Sequence, residues 1–129
     1  MGLADRGGFV RFAPTKSANT ISWTMVESGQ ADGRSVEVPV RQFSGIMQDL
    51  GHSHIDLLKM DIEGAEYSVI PDILASGLDV RQIVLECHPR FIDDGWHRTR
   101  DLLQRMSEHG YGLFHVTFGS SEFSLIKIR

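Results

Sequence analysis

The sequence predicts an α/β domain whose sheet is mostly parallel and closes with an antiparallel hairpin, on three observations. Ile55 to Ile62 is a strand-length apolar run that leads straight into an acidic, glycine-containing turn and a helix start, IDLLKMDIEGAEYSVI. A second apolar run, VRQIVLEC from Val80 to Cys87, follows that helix; strand, helix and strand in this order are the sequence form of a parallel crossover unit. Tyr111 to Phe118 and Glu122 to Ile128 then alternate on either side of Gly119-Ser120-Ser121, which is the pattern of a β-hairpin.

Length and charge set the outer limits. The chain has 129 residues, of which 41% are hydrophobic, enough apolar material for one core and one domain spanning 1–129. A net charge of −4 and the lack of a Lys/Arg run or a basic stripe argue against nucleic acid as a partner. Cys87 is the only cysteine, so an intrachain disulfide and a thiolate-based zinc site are both excluded, which suits a cytoplasmic setting. No stretch approaches the roughly 20 apolar residues of a membrane helix, so no membrane partner is expected.

In chain order, Met1 to Gly8 is turn-forming and Phe9 to Phe12 alternates as a short strand. Ala13 to Trp23 is rich in Pro, Thr, Ser and Asn and reads as a loop, with Trp23 and Met25 as cover for apolar surface. Gln30 to Ser35 is a second turn, and Ser35 to Val40 alternates as a strand able to pair with Phe9 to Phe12 as a ribbon. Ser44 is placed as the N-cap of a short helix that ends at Gly51. His52 and His54 have a spacing that suits a metal, but they precede the central strand, away from its carboxyl end, and read as solvated loop residues. The helix from Gly64 to Leu74 contains Pro71, which predicts a kink or two short helices. Phe91 to His97 reads as a lid-forming loop with Asp93, Asp94 and Trp96, and Arg98 to His109 as a helix burying Leu102, Leu103 and Met106.

The chemistry-bearing residues gather at strand ends. Asp61, Glu63 and Glu66 surround Gly64 at the carboxyl end of the central strand, where open α/β sheets hold their ligands. Three carboxylates within six residues repel one another unless water, a cation or a partner offsets them; the plain alternative is a solvated helix start that complements the dipole. Glu86 and His88 share one face of the next strand. If the two strands are neighbours with level carboxyl ends, Lys59 lies beside Glu86 as a buried structural pair and Asp61 lies beside His88.

The string DLLKMDIEGAE resembles the signature of the FkbM-type methyltransferases, in which a strand runs into a D-x-E-G-x-E turn. The flanking order is also similar: ADRGG at Ala4 to Gly8, a short helix before the signature, then IVLECHP and a closing GYGLF. The resemblance covers nearly the whole chain but only the later part of the family's pattern. It implies a partial Rossmann-like class I methyltransferase sheet that lacks the amino-terminal strands of the parent fold. It also implies S-adenosylmethionine as cofactor, with a small molecule or glycan as methyl acceptor and Asp61 at the cofactor pocket. The expected catalytic set is Asp61, His88, Glu63 and Glu66: Asp61 orients His88, His88 takes a proton from the acceptor hydroxyl, and Glu63 and Glu66 position the acceptor or a divalent metal.

The family's glycine-rich turn and ribose-binding acidic residue are not found. Gly7-Gly8 and Gly110-Tyr111-Gly112 lead into strands, whereas a nucleotide turn opens a helix. Weak or absent cofactor binding is therefore expected of a chain that reads as a shortened or partial product. Three functions follow: methyl transfer; a non-catalytic remnant that binds a partner or self-associates, for instance as a homodimer through an exposed sheet edge; and metal-dependent hydrolysis with Asp61, Glu63 and Glu66 on the metal. No residue set is assigned to a metal in the methyltransferase reading. The edge of the central strand is expected to be covered by the ribbon or by a second copy.

Overall fold

The computed structural model describes residues 2–14, 23–26, 35–119 and 121–129, the side chains of 14, 23–26 and 91 excepted. The expected Trp23 and Met25 contacts and most of the Gln30 to Ser35 turn lie outside that description. Among the described residues, eight strands form two four-stranded sheets. The first is built from β1 (Gly2–Leu3), β2 (Gly8–Pro14), β3 (Trp23–Val26) and β4 (Val36–Arg41), in the order β1-β4-β2-β3. The expected ribbon is present, because β2 and β4 pair antiparallel with Val10 opposite Val38. The second sheet contains β5 (His54–Met60), β6 (Asp79–Glu86), β7 (Tyr111–Val116) and β8 (Glu122–Lys127), in the order β5-β6-β8-β7.

The α/β class holds, but both sheets are mixed. One pair in the second sheet, β5 with β6, is parallel, and the β6–β8 and β7–β8 pairs are antiparallel. A mostly parallel sheet is therefore not what the strands form, since a single crossover helix makes a single parallel pair. The expected hairpin at the carboxyl end is β7–β8.

Three helices accompany the sheets. Helix α1 (Phe43–Leu50) is capped at its start by Gln42 without a side-chain hydrogen bond, so Ser44 lies inside the first turn rather than at the cap. Gly51 ends it at φ 67°, as a left-handed terminus requires. Helix α2 (Glu66–Ser76) runs unbroken past Pro71. The two expected pieces are one because Val69, Ile70 and Ile73 bury both turns against the sheet. Helix α3 (Gly95–Glu108) starts earlier than its sequence suggests and takes Trp96 and His97 out of the expected lid. A 3-10 turn at Pro89–Phe91 precedes it. Only glycine fits at Gly95, where a Cβ would lie 2.0 Å from the Pro89 carbonyl oxygen.

The core lies between the second sheet and α2 and α3. Alternation in β6 and β8 sends Ile83, Leu85, Phe123 and Leu125 inward to meet Val69, Ile70, Ile73, Leu102 and Met106. The opposite face carries Leu57, Lys59, Gln82, Val84 and Ile126, all partly or fully exposed. A strand apolar on nearly both faces ordinarily has helices on each side, but the outer face of β5 is open to solvent: Leu57 is 57% exposed. Strand β5 is also an edge of its sheet, and the β2–β4 ribbon belongs to the other sheet, so the ribbon does not cover that edge.

The register differs from the expected one by two residues. Lys59 stands opposite Val84 and Met60 opposite Leu85. Lys59 is accordingly not a buried partner of Glu86; its exposed Nζ lies 3.8 Å from Glu122 on β8. His52 and His54 are exposed at the amino end of β5, as expected of solvated residues.

Candidate active site

The site is built by the turn between β5 and α2. Ile62 to Ala65 closes a hydrogen-bonded turn, Ala65 N–H to Ile62 O at 3.2 Å. Both central residues have positive φ, Glu63 at 53° and Gly64 at 104°. Gly64 suits this conformation. Glu63 is held in it at a cost that non-glycine residues bear where the surrounding structure over-determines the backbone.

Glu66 fixes the turn from below. Its side chain is fully buried, with Oε1 accepting from the Ile62 N–H and Oε2 from the Gly64 N–H, each at 2.9 Å. A buried carboxylate without such donors would be strongly destabilising. Oε1 also lies 3.0 Å from His88 Nδ1. Glu66 is therefore the carboxylate that orients the imidazole; Asp61, expected in that role, is on the other side of the ring. Alternation could not reveal this, because the reversed turn, not a strand, returns Glu66 beneath the chain. Both oxygens of Glu66, expected to position an acceptor or a metal, face inward on backbone donors.

Asp61 and Glu63 lie beyond the outer nitrogen. His88 Nε2 is 3.6 Å from Asp61 Oδ1 and 3.5 Å from Glu63 Oε2. The imidazole side chain is 14% exposed, whereas Asp61 reaches solvent at 46%. His88 thus joins the inner carboxylate to the two outer ones, and the expected Asp61–His88 proximity is present despite the shifted register. A cavity of about 350 Å³ opens alongside, lined by Glu86, His88, Arg90, Trp96 and Ser121 among others. Arg90 and Ser121 carry no local sequence signal, since their place depends on where the 3-10 turn and the hairpin return to the strand ends.

Cys87 and Thr99 are buried under the site, and Tyr67 is partly so. Burial, followed by the charge of Glu66, pushes the Cys87 thiol up to about 12. Burial also raises the Tyr67 phenol to about 12, against the opposing effect of its hydrogen bond to Thr99. The Thr99 hydroxyl donates to Gly95 O, so the Tyr67 hydroxyl donates to Thr99 at 2.8 Å and ties α2 to α3. These groups stay neutral and support the site from beneath.

The donors a cofactor cradle needs are not assembled among the described residues. Gly64 is the glycine that opens a helix after a strand, yet the amides of Ile62 and Gly64 are already taken by Glu66. The described residues therefore do not by themselves fit S-adenosylmethionine as a complete cradle.

A β–α–β unit with an acidic turn, a histidine and a cavity at the strand ends has its site where open α/β folds hold their ligands. Residues 4–113 match the family described as the methyltransferase FkbM domain, and the chain belongs to that family. It is 28% identical to the human protein named probable methyltransferase-like protein 24, over 58% of this chain and 23% of that protein. The rat protein of the same name is also 28% identical, over 59% of this chain and 24% of its own. The chain thus spans about a quarter of the length of these curated relatives. No solved structure matches. Among the described residues, no helix is long and apolar enough to cross a membrane.

Proposed function

We propose that the chain is a methyltransferase acting on a hydroxyl oxygen of a small molecule or glycan, with Asp61, Glu63 and His88 at the acceptor. The observation that carries this reading is the convergence of Asp61 and Glu63 on His88, which lines the cavity. In the family, S-adenosylmethionine in general supplies the methyl group. The described residues act on the acceptor side: their oxygen and nitrogen atoms draw the hydroxyl proton away, and Glu66 acts as a positioning residue through Nδ1 of His88. The strand order β5-β6-β8-β7, with α2 and α3 on one face, supports reading the second sheet as the later part of a Rossmann-like methyltransferase sheet. Asp61 is then the residue of this set nearest a cofactor on the β5 side. A cytoplasmic setting without nucleic-acid partners agrees with the acidic charge and the single buried cysteine.

Transfer of labelled methyl from S-adenosylmethionine to a panel of hydroxyl acceptors tests the reading. His88→Ala should abolish nearly all transfer, whereas unchanged turnover would remove His88 from the mechanism. A second reading, binding or self-association without catalysis, is favoured by the open β5 edge with its exposed Leu57. Sedimentation velocity decides that point: a dimer dissociated by Leu57→Asp supports it, and a monomer at all concentrations does not.

A further inference from the structure

A carboxylate and a guanidinium share the cavity at the strand ends without meeting. Glu86 and Arg90 both line it, and among the described residues neither side chain has an ion pair or a hydrogen bond, with the other or with a third group. Glu86 also stands opposite Glu122 on β8, and like charges in opposed positions destabilise a sheet. Lys59 lies 3.8 Å from Glu122, so it answers the other carboxylate of the pair. Glu86 is partly buried, which leaves its charge only partly screened by water.

The walls of the cavity are set before any ligand arrives. Gly95 packs so closely on Pro89 that a Cβ there would collide with the Pro89 carbonyl oxygen, and the Gly95 carbonyl accepts from the Thr99 hydroxyl at 2.8 Å. These contacts fix the start of α3, with Trp96, against the 3-10 turn that carries Arg90. On the hairpin side, the Cys87 N–H donates to Ser121 O at 2.7 Å and seats the hairpin turn on the end of β6. Trp96 is 52% exposed and offers a flat face with few rotatable bonds to lose. A volume of about 350 Å³ is small for a ligand site and suits a molecule of amino-acid size better than an extended chain.

The structure assigns this cavity to a small zwitterion, the head group of a free amino acid, with its carboxylate on Arg90, its ammonium on Glu86 and its side chain against Trp96. The fork of a guanidinium matches a carboxylate in shape and charge. An ammonium on Glu86 offsets the repulsion from Glu122, and the indole takes a ring or an aliphatic chain. A neutral ligand would leave both charges unanswered. A simple anion would meet the repulsion of Glu86, and a simple cation would meet that of Arg90. A zwitterion carries no net charge, so the −4 of the chain does not oppose its approach. His88 lines the same cavity, and a hydroxylated amino acid held there would bring its hydroxyl to the site. This narrowing of the acceptor class rests on the methyltransferase reading; the binding of the zwitterion does not.

The test is a saturation-transfer NMR titration of the whole chain, without methyl donor, using three ligands of nearly one shape. L-Tyrosine carries both charges, tyramine lacks the carboxylate and desaminotyrosine lacks the ammonium. Tyrosine should bind at one saturable site, and each analogue should bind about tenfold more weakly, as expected for loss of one charge-assisted contact. Arg90→Gln should remove the preference over tyramine, Glu86→Gln the preference over desaminotyrosine, and Arg105→Gln neither. The ligand series on the unaltered chain decides the matter even if a variant does not fold. No saturable tyrosine binding, or an analogue that binds as tightly as tyrosine, overturns the assignment. Tyrosine binding without methyl transfer to its hydroxyl leaves the zwitterion site standing and counts against the methyltransferase reading. Methyl transfer to another acceptor without tyrosine binding does the reverse.

Discussion

The inner and outer halves of the acidic turn use the same residue types for opposite purposes. Inside, Glu66 has no exposure, and each oxygen accepts from a backbone N–H. Outside, Asp61 and Glu63 reach solvent and lie 3.6 and 3.5 Å from His88 Nε2. The inner carboxylate is held by backbone donors and so holds the fold; the outer pair lies partly exposed beside the imidazole. Burial and donors, not the identity of the carboxylate, separate structure from function here.

The largest expected effect breaks the inner half. Glu66→Ala leaves two amides and the imidazole without their acceptor and should destabilise the chain by about 3–5 kcal/mol in urea denaturation. A loss below 1 kcal/mol would mean that the turn holds without its staple.

High pH should also act on the inner half. The Tyr67 phenol is raised to about 12 chiefly by burial. A folded-state value above the unfolded one binds the proton more tightly in the folded chain, so the stability is full below about pH 10 and is lost as pH rises toward 12. Urea midpoints at pH 8 and pH 11 measure this. Equal midpoints contradict a Tyr67 phenol raised by burial, and Tyr67→Phe should flatten part of the fall.

The outer half responds in the opposite direction. Glu63 carries a positive φ that glycine adopts without strain. Glu63→Gly should therefore stabilise the chain by about 0.5–1 kcal/mol while removing one of the outer carboxylates beside His88. Higher stability together with reduced transfer would show that the strain is kept for function; lower stability would show that Glu63 holds the turn.

Much of this was legible in the sequence where local pattern governs. The strands β2 and β4 to β8, the β7–β8 hairpin and the parallel β5–β6 pair follow from alternation and turn residues, and the DIEGAE string marked the family, whereas Gly2–Leu3 and Trp23–Val26 fall in stretches read as turn and loop. What was not legible depends on registers and reversals that no local rule encodes. Lys59 was expected beside Glu86, but pairing begins at His54 with Asp79 and so places it opposite Val84. Leu57 in an apolar run suggested two covered faces, yet α2 and α3 both pack on one side. Glu66 was grouped with Glu63 because they are near in sequence, and a turn with two positive φ values sends one under the chain and the other out.

The most direct measurement compares Glu66→Gln with Glu63→Gln in parallel chemical denaturation at pH 7. Both remove one charge with little change in shape. The first places an amide NH₂ against backbone N–H donors in a buried space and should cost about 1.5–3 kcal/mol. The second should change stability by less than about 0.5 kcal/mol, as is usual for a partly exposed position. Equal losses in the two variants would contradict the division between an inner structural carboxylate and an outer functional one.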